Sequence, residues 1–364
     1  MKIKIDINEK YTIRLEEVTD FEDSFFYGVY KSAFENLIEI VESSKKAKDN
    51  TDKNNSNSFF RLIDDEKAKD NNIIAFVGER GSGKSSTMIS FINAVKTNLK
   101  KLSEVMKVDK NDIITKCNFE ILDVIDPSLF EKNDNILEIV IAKMFHKFKE
   151  TFPSDNSCNN DKNSKYQSKK SLLEKFESVY KSIKTIEKND KYSNEDEIIE
   201  EISNLSTGTN LRNNIQELIK EYLNFFSPKK DNNFLVLIID DFDLNIKHAG
   251  EMVELIRKYL FLHNVIIFTA LNFSDLSLLI QQDYSTHLKI ALKNKQINND
   301  EIKDKSYRYL EKFIPYTRRL FLPEISKEKH LIKLEIIGFN KDDEIIKYDK
   351  LLLELEEKSK KNKY

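Results

Sequence analysis

The glycines of this chain are few and clustered. Only 7 of the 364 residues are glycine, and Gly78, Gly81 and Gly83 lie close together. Because glycine adopts backbone conformations that other residues avoid, this cluster marks a place where the backbone turns unusually. The apolar run 73–77 precedes it, and residues 84–99 follow it with apolar side chains at helical spacing. Strand, glycine turn and helix predict an α/β fold with a parallel sheet.

The glycine cluster also fits a phosphate-binding pattern. Residues 78–85 read GERGSGKS, which matches G-x-x-x-x-G-K-[ST], the P-loop pattern. In such a loop, backbone N–H groups and a helix N-terminus face phosphate oxygens. Lys84 can reach the β- and γ-phosphates, and the Ser85 hydroxyl can bind Mg²⁺. The alternative is a glycine-rich turn that binds nothing. The predicted nucleotide-binding residues are Gly78, Glu79, Arg80, Gly81, Ser82, Gly83, Lys84, Ser85 and Ser86.

A second pattern follows the most apolar segment of the chain. Residues 234–239 read FLVLII and run directly into Asp240 and Asp241. An apolar strand that ends in an acid is typical of a Walker B element, in which Asp240 would hold Mg²⁺ and its water shell. Asp241 is then placed to orient or deprotonate an attacking water, and Asp243 to act as a cap or a supporting group. The alternative is that these acids begin a turn or cap a helix.

Together the two patterns resemble those of the additional-strand P-loop NTPases, the group that includes the AAA+, STAND and KAP-like ATPases. The resemblance covers roughly residues 70–323, and DDFD at 240–243 is similar to the DDxD run of KAP-like ATPases. It implies a three-layer α/β fold with a parallel sheet in the order 5-1-4-3-2 and helices on both faces. It also implies ATP and Mg²⁺ as cofactors. Many hydrolytic relatives have Glu where this chain has Asp241, so the sequence supports binding more strongly than hydrolysis.

The resemblance suggests two further roles near the nucleotide. Residues 265–272 read VIIFTALN, and Asn272 is similar to the sensor 1 residue that contacts the γ-phosphate or the attacking water. The open alternative is a cap of the helix that begins at Phe273. Arg318 and Arg319 lie where AAA+ proteins often have an arginine finger, which reaches a neighbouring subunit's nucleotide. The open alternative there is a surface pair or a local ion pair.

The remainder of the chain is organised around this core. A β-hairpin over residues 1–18, a helix from Phe26 and a mobile loop at 43–57 are predicted near the N-terminus. The predicted parts are an N-terminal hairpin and helix at 1–60, a nucleotide-binding core at 61–323 with a polar insertion near 151–170, and a short C-terminal helical tail or remnant lid at 324–364.

Composition excludes several classes of function. The formal net charge of −3 gives no positive excess to hold a phosphate backbone, so nucleic acid is not a predicted partner. The apolar runs are too short to cross a membrane, and the first residues do not read as a signal peptide. Cys117 and Cys158, the only cysteines, cannot form a disulfide framework. We expect a soluble cytoplasmic protein with no membrane partner.

Two hypotheses of function follow, with a third that charge disfavours. The first is a Mg²⁺-dependent regulatory ATPase that couples nucleotide state to conformational change or assembly, as a homo-oligomer or with a partner protein. Families of this kind include prokaryotic antiviral-defence ATPases, which the resemblance alone suggests. The second is a low-turnover, nucleotide-dependent interaction module, which Asp241 and the short segment after Pro323 favour. A nucleic-acid motor is the third. The sequence does not fix ATP against GTP.

Overall fold

A computed structural model of the chain describes residues 2–6, 21–22, 24–53, 71–108, 111–131, 134–151, 162–188, 197–228, 232–245, 248–323, 333–337 and 346–347. The strands are β1 (Lys2–Asp6), β2 (Ile73–Val77), β3 (Asn118–Ile121), β4 (Asn233–Ile239), β5 (Val265–Leu271), β6 (Arg319–Phe321), β7 (Lys333–Ile337) and β8 (Ile346–Lys347).

Helices occupy most of the remaining described residues. They are α1 (Tyr27–Lys53), α2 (Lys84–Thr97), α3 (Leu99–Met106), α4 (Asn111–Ile114), α5 (Ile136–Glu150), α6 (Lys162–Lys188), α7 (Glu197–Phe226), α8 (Ala249–Leu255), α9 (Phe273–His287), α10 (Lys289–Lys293) and α11 (Asn299–Phe313). The helix α8 continues as a π-helical turn, Ile256–Leu260, and short 3₁₀ turns lie at Pro127–Leu129, Phe242–Leu244 and Tyr316–Arg318.

The central sheet has five parallel strands in the order β3-β4-β5-β2-β6. Counted along the chain from β2, this is the predicted order 5-1-4-3-2 read from the opposite edge. The α/β class and the strand order are therefore confirmed. Every residue of β2, β4 and β5 is buried, which explains why these strands are almost entirely apolar, with Asn233 and Thr269 as their polar residues.

Helices cover both faces of this sheet, as predicted. Successive side chains of a strand point to opposite faces, so Ile73 and Val77 belong to one apolar core and Ile74 and Phe76 to the other. The first core is filled by helices α5, α6, α7, α8, α9 and α11. The second is filled by α1, α2, α3 and the end of α4. The result is a three-layer arrangement with the sheet in the middle.

Two polar segments are more helical than the sequence indicates. The predicted loop at 43–57 is wrong over residues 43–53, because α1 continues to Lys53. Ser44 is buried on this helix and donates a hydrogen bond to the carbonyl of His263. The helix α6 begins inside the predicted polar insertion at 151–170 and buries a narrow apolar stripe, which includes Leu172 and Phe176. Where most side chains are polar, such a stripe is hard to distinguish from chance.

A second sheet joins residues from both ends of the sequence. Strand β1 pairs in parallel with β7, and β7 pairs antiparallel with β8. The predicted hairpin therefore has a strand at 2–6, but its described partner is β7, and the remaining hairpin residues 7–18 lie outside the described residues. The predicted helical tail at 324–364 is wrong at β7 and β8. Local sequence misses this because strand formation depends on the distant partner.

Among the described residues, no helix combines the length and the apolar character needed to cross a bilayer.

Candidate functional site

The glycine-rich loop, residues 78–85, joins β2 to α2 at the carboxyl end of the central sheet. Gly81 and Gly83 have φ angles of 80° and 91°, which side chains with a Cβ strongly disfavour. A Cβ built at Gly78 would lie 2.6 Å from the Ser82 Oγ. The backbone angles therefore favour glycine at positions 81 and 83, whereas a Cβ at position 78 would require the Ser82 hydroxyl to move.

The loop is tied to the sheet by a hydrogen bond and continues directly into the following helix. The N–H of Gly78 donates to the carbonyl of Leu271 at the end of β5, at 3.4 Å. The helix α2 begins at Lys84, directly after Gly83, and continues for 14 residues. The first N–H groups of a helix have no intrahelical acceptor and carry a partial positive charge. Those of Lys84, Ser85 and Ser86 therefore face the loop as donors for an anion.

A hydrogen bond joins the two sequence patterns. The Ser85 Oγ donates to the Asp240 Oδ1 at 2.7 Å, although the two residues lie 155 positions apart. Asp240 follows β4, which is separated from β2 by β5, so the contact crosses the carboxyl edge of the sheet. An alcohol and a carboxylate oxygen side by side are ligands that suit Mg²⁺, which keeps several waters and takes few carboxylates. In the described part of the chain no group of three or more His, Cys, Asp or Glu is placed to hold a metal ion.

The electrostatics of Asp240 favour a cation beside it. Burial raises the pKa of the Asp240 carboxyl, the hydrogen bond from Ser85 lowers it, and the charges of Asp241 and Asp126 raise it further. A bound cation would stabilise the ionised form of this carboxyl. Asp126, which follows the bridge between Ile125 and Ile239, was not predicted as a site residue. The available signal was an acid a few residues after a strand, a weaker form of the signal that identifies Asp240.

Asp241 has an unusual backbone conformation. Its φ angle of 51° lies in the left-handed region, and its N–H donates to the Asp240 Oδ1 at 3.1 Å. A short 3₁₀ turn, Phe242–Leu244, follows, and the Asp241 side chain makes no capping hydrogen bond to the described residues of that turn. Of the alternative that the sequence left open, the turn is present, because the Leu244 N–H donates to the Asp241 carbonyl at 3.0 Å, and the side-chain cap of this described turn is not.

Asp243 lies inside the site as a supporting group. Its side chain is buried, and burial raises the pKa of the Asp243 carboxyl. The backbone N–H of Asn272 and the charge of Lys84 both act to lower that pKa. Asp243 therefore links the turn after β4 to the end of β5.

Asn272 serves as a helix cap and also contacts the glycine-rich loop. Its Oδ1 accepts from the Ser274 N–H at 3.0 Å, which caps α9. Its Nδ2 donates to the Glu79 Oε2 at 3.3 Å. The cap is the alternative that the sequence left open, and it is present. The amide nevertheless faces the loop, which is where the sensor interpretation requires it.

Within the loop, Lys84 and Arg80 differ sharply in exposure. Lys84 is buried, and its Nζ donates to the carbonyl of Glu79 at 3.1 Å. Arg80 is exposed. The ammonium of Lys84 thus lies over the loop, whereas Arg80 extends from its surface.

The two predicted arginines lie in local contacts. The Arg318 Nη1 donates to the Asn36 Oδ1 at 2.7 Å and forms an ion pair with Glu39 at 3.1 Å. The Arg319 side chain is only 3% exposed. It pairs with Glu311 and lies 3.8 Å from the centre of the Phe273 ring. These contacts agree with the local ion-pair alternative rather than with a finger that extends towards a second subunit.

A scan against models of known protein families finds no match for this chain, and a search of curated proteins finds none either. The resemblance to P-loop NTPases therefore rests on the residues and the geometry described above.

Proposed function

We propose that the chain binds a Mg²⁺–nucleoside triphosphate at the glycine-rich loop and hydrolyses it, as an ATPase. The observation that carries this proposal is the 2.7 Å hydrogen bond between Ser85 and Asp240. It joins a loop with two left-handed glycines to the acid that ends β4. This is the pair of oxygen ligands that a P-loop fold offers to Mg²⁺.

The phosphates would be held by the loop backbone and by Lys84. The N–H groups at the start of α2 provide donors and a partial positive charge, and Gly78, Gly81 and Gly83 leave room for close approach. Lys84 adds a full positive charge to the β- and γ-phosphates. Mg²⁺, when bound through Ser85 and Asp240, would supply charge neutralisation at the same phosphates.

Hydrolysis would use Asp241 and Asn272. A water oxygen forms a bond to the γ-phosphorus while the bond from that phosphorus to the β–γ bridging oxygen breaks, releasing the diphosphate and inorganic phosphate. Asp241 orients this water and accepts its proton, and the Asn272 amide contacts the γ-phosphate. Both residues follow strands of the central sheet, β4 and β5, at the edge that carries the loop.

We further propose that nucleotide state controls a conformational change or an assembly step in the cytoplasm. The resemblance to AAA+, STAND and KAP-like ATPases supports a homo-oligomer or a partner protein as the responding element. A regulatory role in prokaryotic antiviral defence is consistent with that resemblance.

A specific observation favours a second candidate, a nucleotide-dependent interaction module with little turnover. Arg318 and Arg319 are held by Glu39 and Glu311, so neither offers a positive charge to a transferred phosphoryl group in this arrangement. The acid at the water position is also the shorter Asp241. A partner would then have to complete the site before hydrolysis is fast.

Binding of a non-hydrolysable ATP analogue to Lys84→Ala tests the proposal. We expect wild-type protein to bind with Mg²⁺ and Lys84→Ala to lose at least about tenfold in affinity, because an ammonium–phosphate contact is charge-assisted. Lys96→Ala is the matched control, since Lys96 is exposed in the last turn of the same helix. Equal affinity in Lys84→Ala and wild type would reject the site. A GTP analogue measured in parallel identifies the preferred base.

Turnover as a function of protein concentration separates the two candidates. Specific activity above the Lys84→Ala blank supports an ATPase, and a rise with concentration supports a site completed between subunits. Analogue binding with no turnover at any concentration supports the low-turnover module.

A further inference from the structure

Glu79 accepts hydrogen bonds from three donors in and beside the glycine-rich loop. Its backbone carbonyl accepts from the Ser82 N–H at 3.1 Å and from the Lys84 Nζ at 3.1 Å. Its carboxylate Oε2 accepts from the Asn272 Nδ2 at 3.3 Å. One residue therefore provides oxygen acceptors to two groups of the loop and to the residue after β5.

These donors are the groups assigned above to the phosphates. A phosphate oxygen and a Glu79 oxygen present similar acceptors to them, so the two compete for the same donors. The two contacts of the carbonyl are made by the backbone, so they do not depend on which residue occupies position 79. The contact with Asn272 is made by the side chain alone, so a substitution can remove it separately.

The position of the Asn272 amide is fixed by its surroundings. Its Oδ1 is bound to the Ser274 N–H as the cap of α9, and its backbone lies beside the buried Asp243. The Asn272 amide is therefore held in place and cannot move together with the Glu79 side chain. Glu79 is exposed, and its carboxylate can move into solvent when another acceptor reaches Asn272.

We propose that Glu79 sets the discrimination between nucleoside triphosphate and diphosphate. This inference rests on the proposed function. The γ-phosphate has to displace the Glu79 carboxylate from the Asn272 amide before it can bind that amide. A diphosphate has no group at that position and leaves the contact between Glu79 and Asn272 intact. Glu79 is thus a positioning residue that acts through Asn272 and weakens triphosphate binding selectively.

Calorimetric binding of a non-hydrolysable ATP analogue and of ADP, both with Mg²⁺, tests this. We expect Glu79→Ala to bind the analogue about three- to tenfold more tightly, the range expected when one competing hydrogen bond is removed. We expect its affinity for ADP to stay within about twofold. The ratio of the two affinities is a readout that simple loss of loop stability would not shift in this direction.

Two matched variants isolate the contact from general charge. Asp275→Asn removes a negative charge in the exposed first turn of α9 but keeps Asn272. We expect it to move both affinities alike. Asn272→Ser keeps a capping side chain and removes the amide. In that background, adding Glu79→Ala should leave the affinity ratio unchanged.

The outcomes separate this inference from the proposed function. An unchanged ratio in Glu79→Ala, or a shift equal to that of Asp275→Asn, overturns the role of Glu79 while nucleotide binding stands. A Glu79→Ala effect of the same size in the Asn272→Ser background also overturns it. If Lys84→Ala binds both nucleotides as wild type does, or wild type binds neither, the proposed function fails and this inference fails with it.

Discussion

Two charged regions of the molecule differ in whether their charges have partners of opposite sign. One is the acidic site, which consists of Ser85, Asp240, Asp241 and Asp243. The other is the arginine pair, Arg318 and Arg319. Arg319 is buried against Glu311 and the Phe273 ring, and the partly buried Arg318 contacts Asn36 and Glu39. Each arginine therefore has an acid of the same chain as its partner.

The acidic site gathers like charges instead. Asp240 accepts a hydrogen bond from the neutral hydroxyl of Ser85 and lies near the negative charges of Asp241 and Asp126. Burial raises the pKa of both Asp240 and Asp243. Such a cluster is stabilised by an added cation, whereas the arginine pair needs none. The comparison indicates that the arginine pair supports the fold, and it is consistent with the cation site proposed at Ser85 and Asp240.

The largest effect on stability is expected from breaking the arginine pair. Arg319→Ala leaves Glu311 without its partner and removes the contact with the Phe273 ring. We expect the free energy of unfolding to fall by about 2–3 kcal/mol, below the full value for a buried pair because Glu311 is partly exposed. Denaturant unfolding measures it. Arg308→Ala, at an exposed position of the same helix as Glu311, should change stability by less than about 0.5 kcal/mol.

Analogue binding by Arg319→Ala then decides what the arginine does. We expect unchanged affinity and unchanged dependence on protein concentration at temperatures where the variant is folded. If Arg319→Ala had normal stability but lost turnover selectively, a purely structural role would be contradicted. That result would support the interpretation of Arg319 as an arginine finger.

A smaller effect is expected from substitution of a left-handed glycine in the loop. Gly83→Ala places a Cβ on a residue with a φ angle of 91°, which should lower the free energy of unfolding by about 1–2 kcal/mol. Gly28→Ala is the matched control, because a Cβ at Gly28, in α1, meets nothing within 4 Å. It should be neutral or stabilise by up to about 1 kcal/mol. Equal effects at the two glycines would contradict the requirement for glycine at position 83.

The smallest effect on stability is expected at Asp240, and its sign depends on pH. The pKa of Asp240 is raised in the folded protein above its ordinary value of 3.8, so the folded state binds the proton more tightly than the unfolded state. The contribution of Asp240 to stability therefore decreases as pH rises from that value through the raised pKa. Asp240→Asn should abolish this dependence and be neutral or more stable by up to about 1 kcal/mol at neutral pH.

Unfolding by denaturant across a pH series checks the Asp240 prediction. A parallel series on Asp300→Asn, an exposed acid in the first turn of α11, provides the control. Marked destabilisation of Asp240→Asn at neutral pH would contradict the account, because it would mean that the charge of Asp240 stabilises the fold without a bound cation.

The features that sequence alone predicts correctly are those with strong local signals. The buried strands 73–77 and 234–239 are uninterrupted apolar runs, 265–270 is interrupted only by Thr269, and the glycine cluster marks the turn after the first strand. The strand order places Ser85 and Asp240 at one edge of the sheet, since the carboxyl ends of parallel strands meet there. Their 2.7 Å contact follows from that placement.

The features that sequence misses depend on distant partners. Nothing near Arg318 indicates that Asn36 and Glu39 of α1 will bind it, and nothing near Lys2 indicates β7. The contact between Glu79 and Asn272 also joins residues that are distant in sequence. Sequence does not indicate it, because Glu79 is already explained as a loop residue and Asn272 as a cap. Such contacts arise only once the sheet is assembled.

The most direct test of the central claim is the Mg²⁺ dependence of nucleotide binding in a cycle of Ser85→Ala, Asp240→Asn and the double variant. If these two residues bind one ion together, Mg²⁺ should strengthen analogue binding by about tenfold or more in wild type and have little effect in either variant. The double variant should be no worse than the single ones. Mg²⁺ dependence that survives in both single variants, or effects that add fully in the double variant, would contradict the assignment.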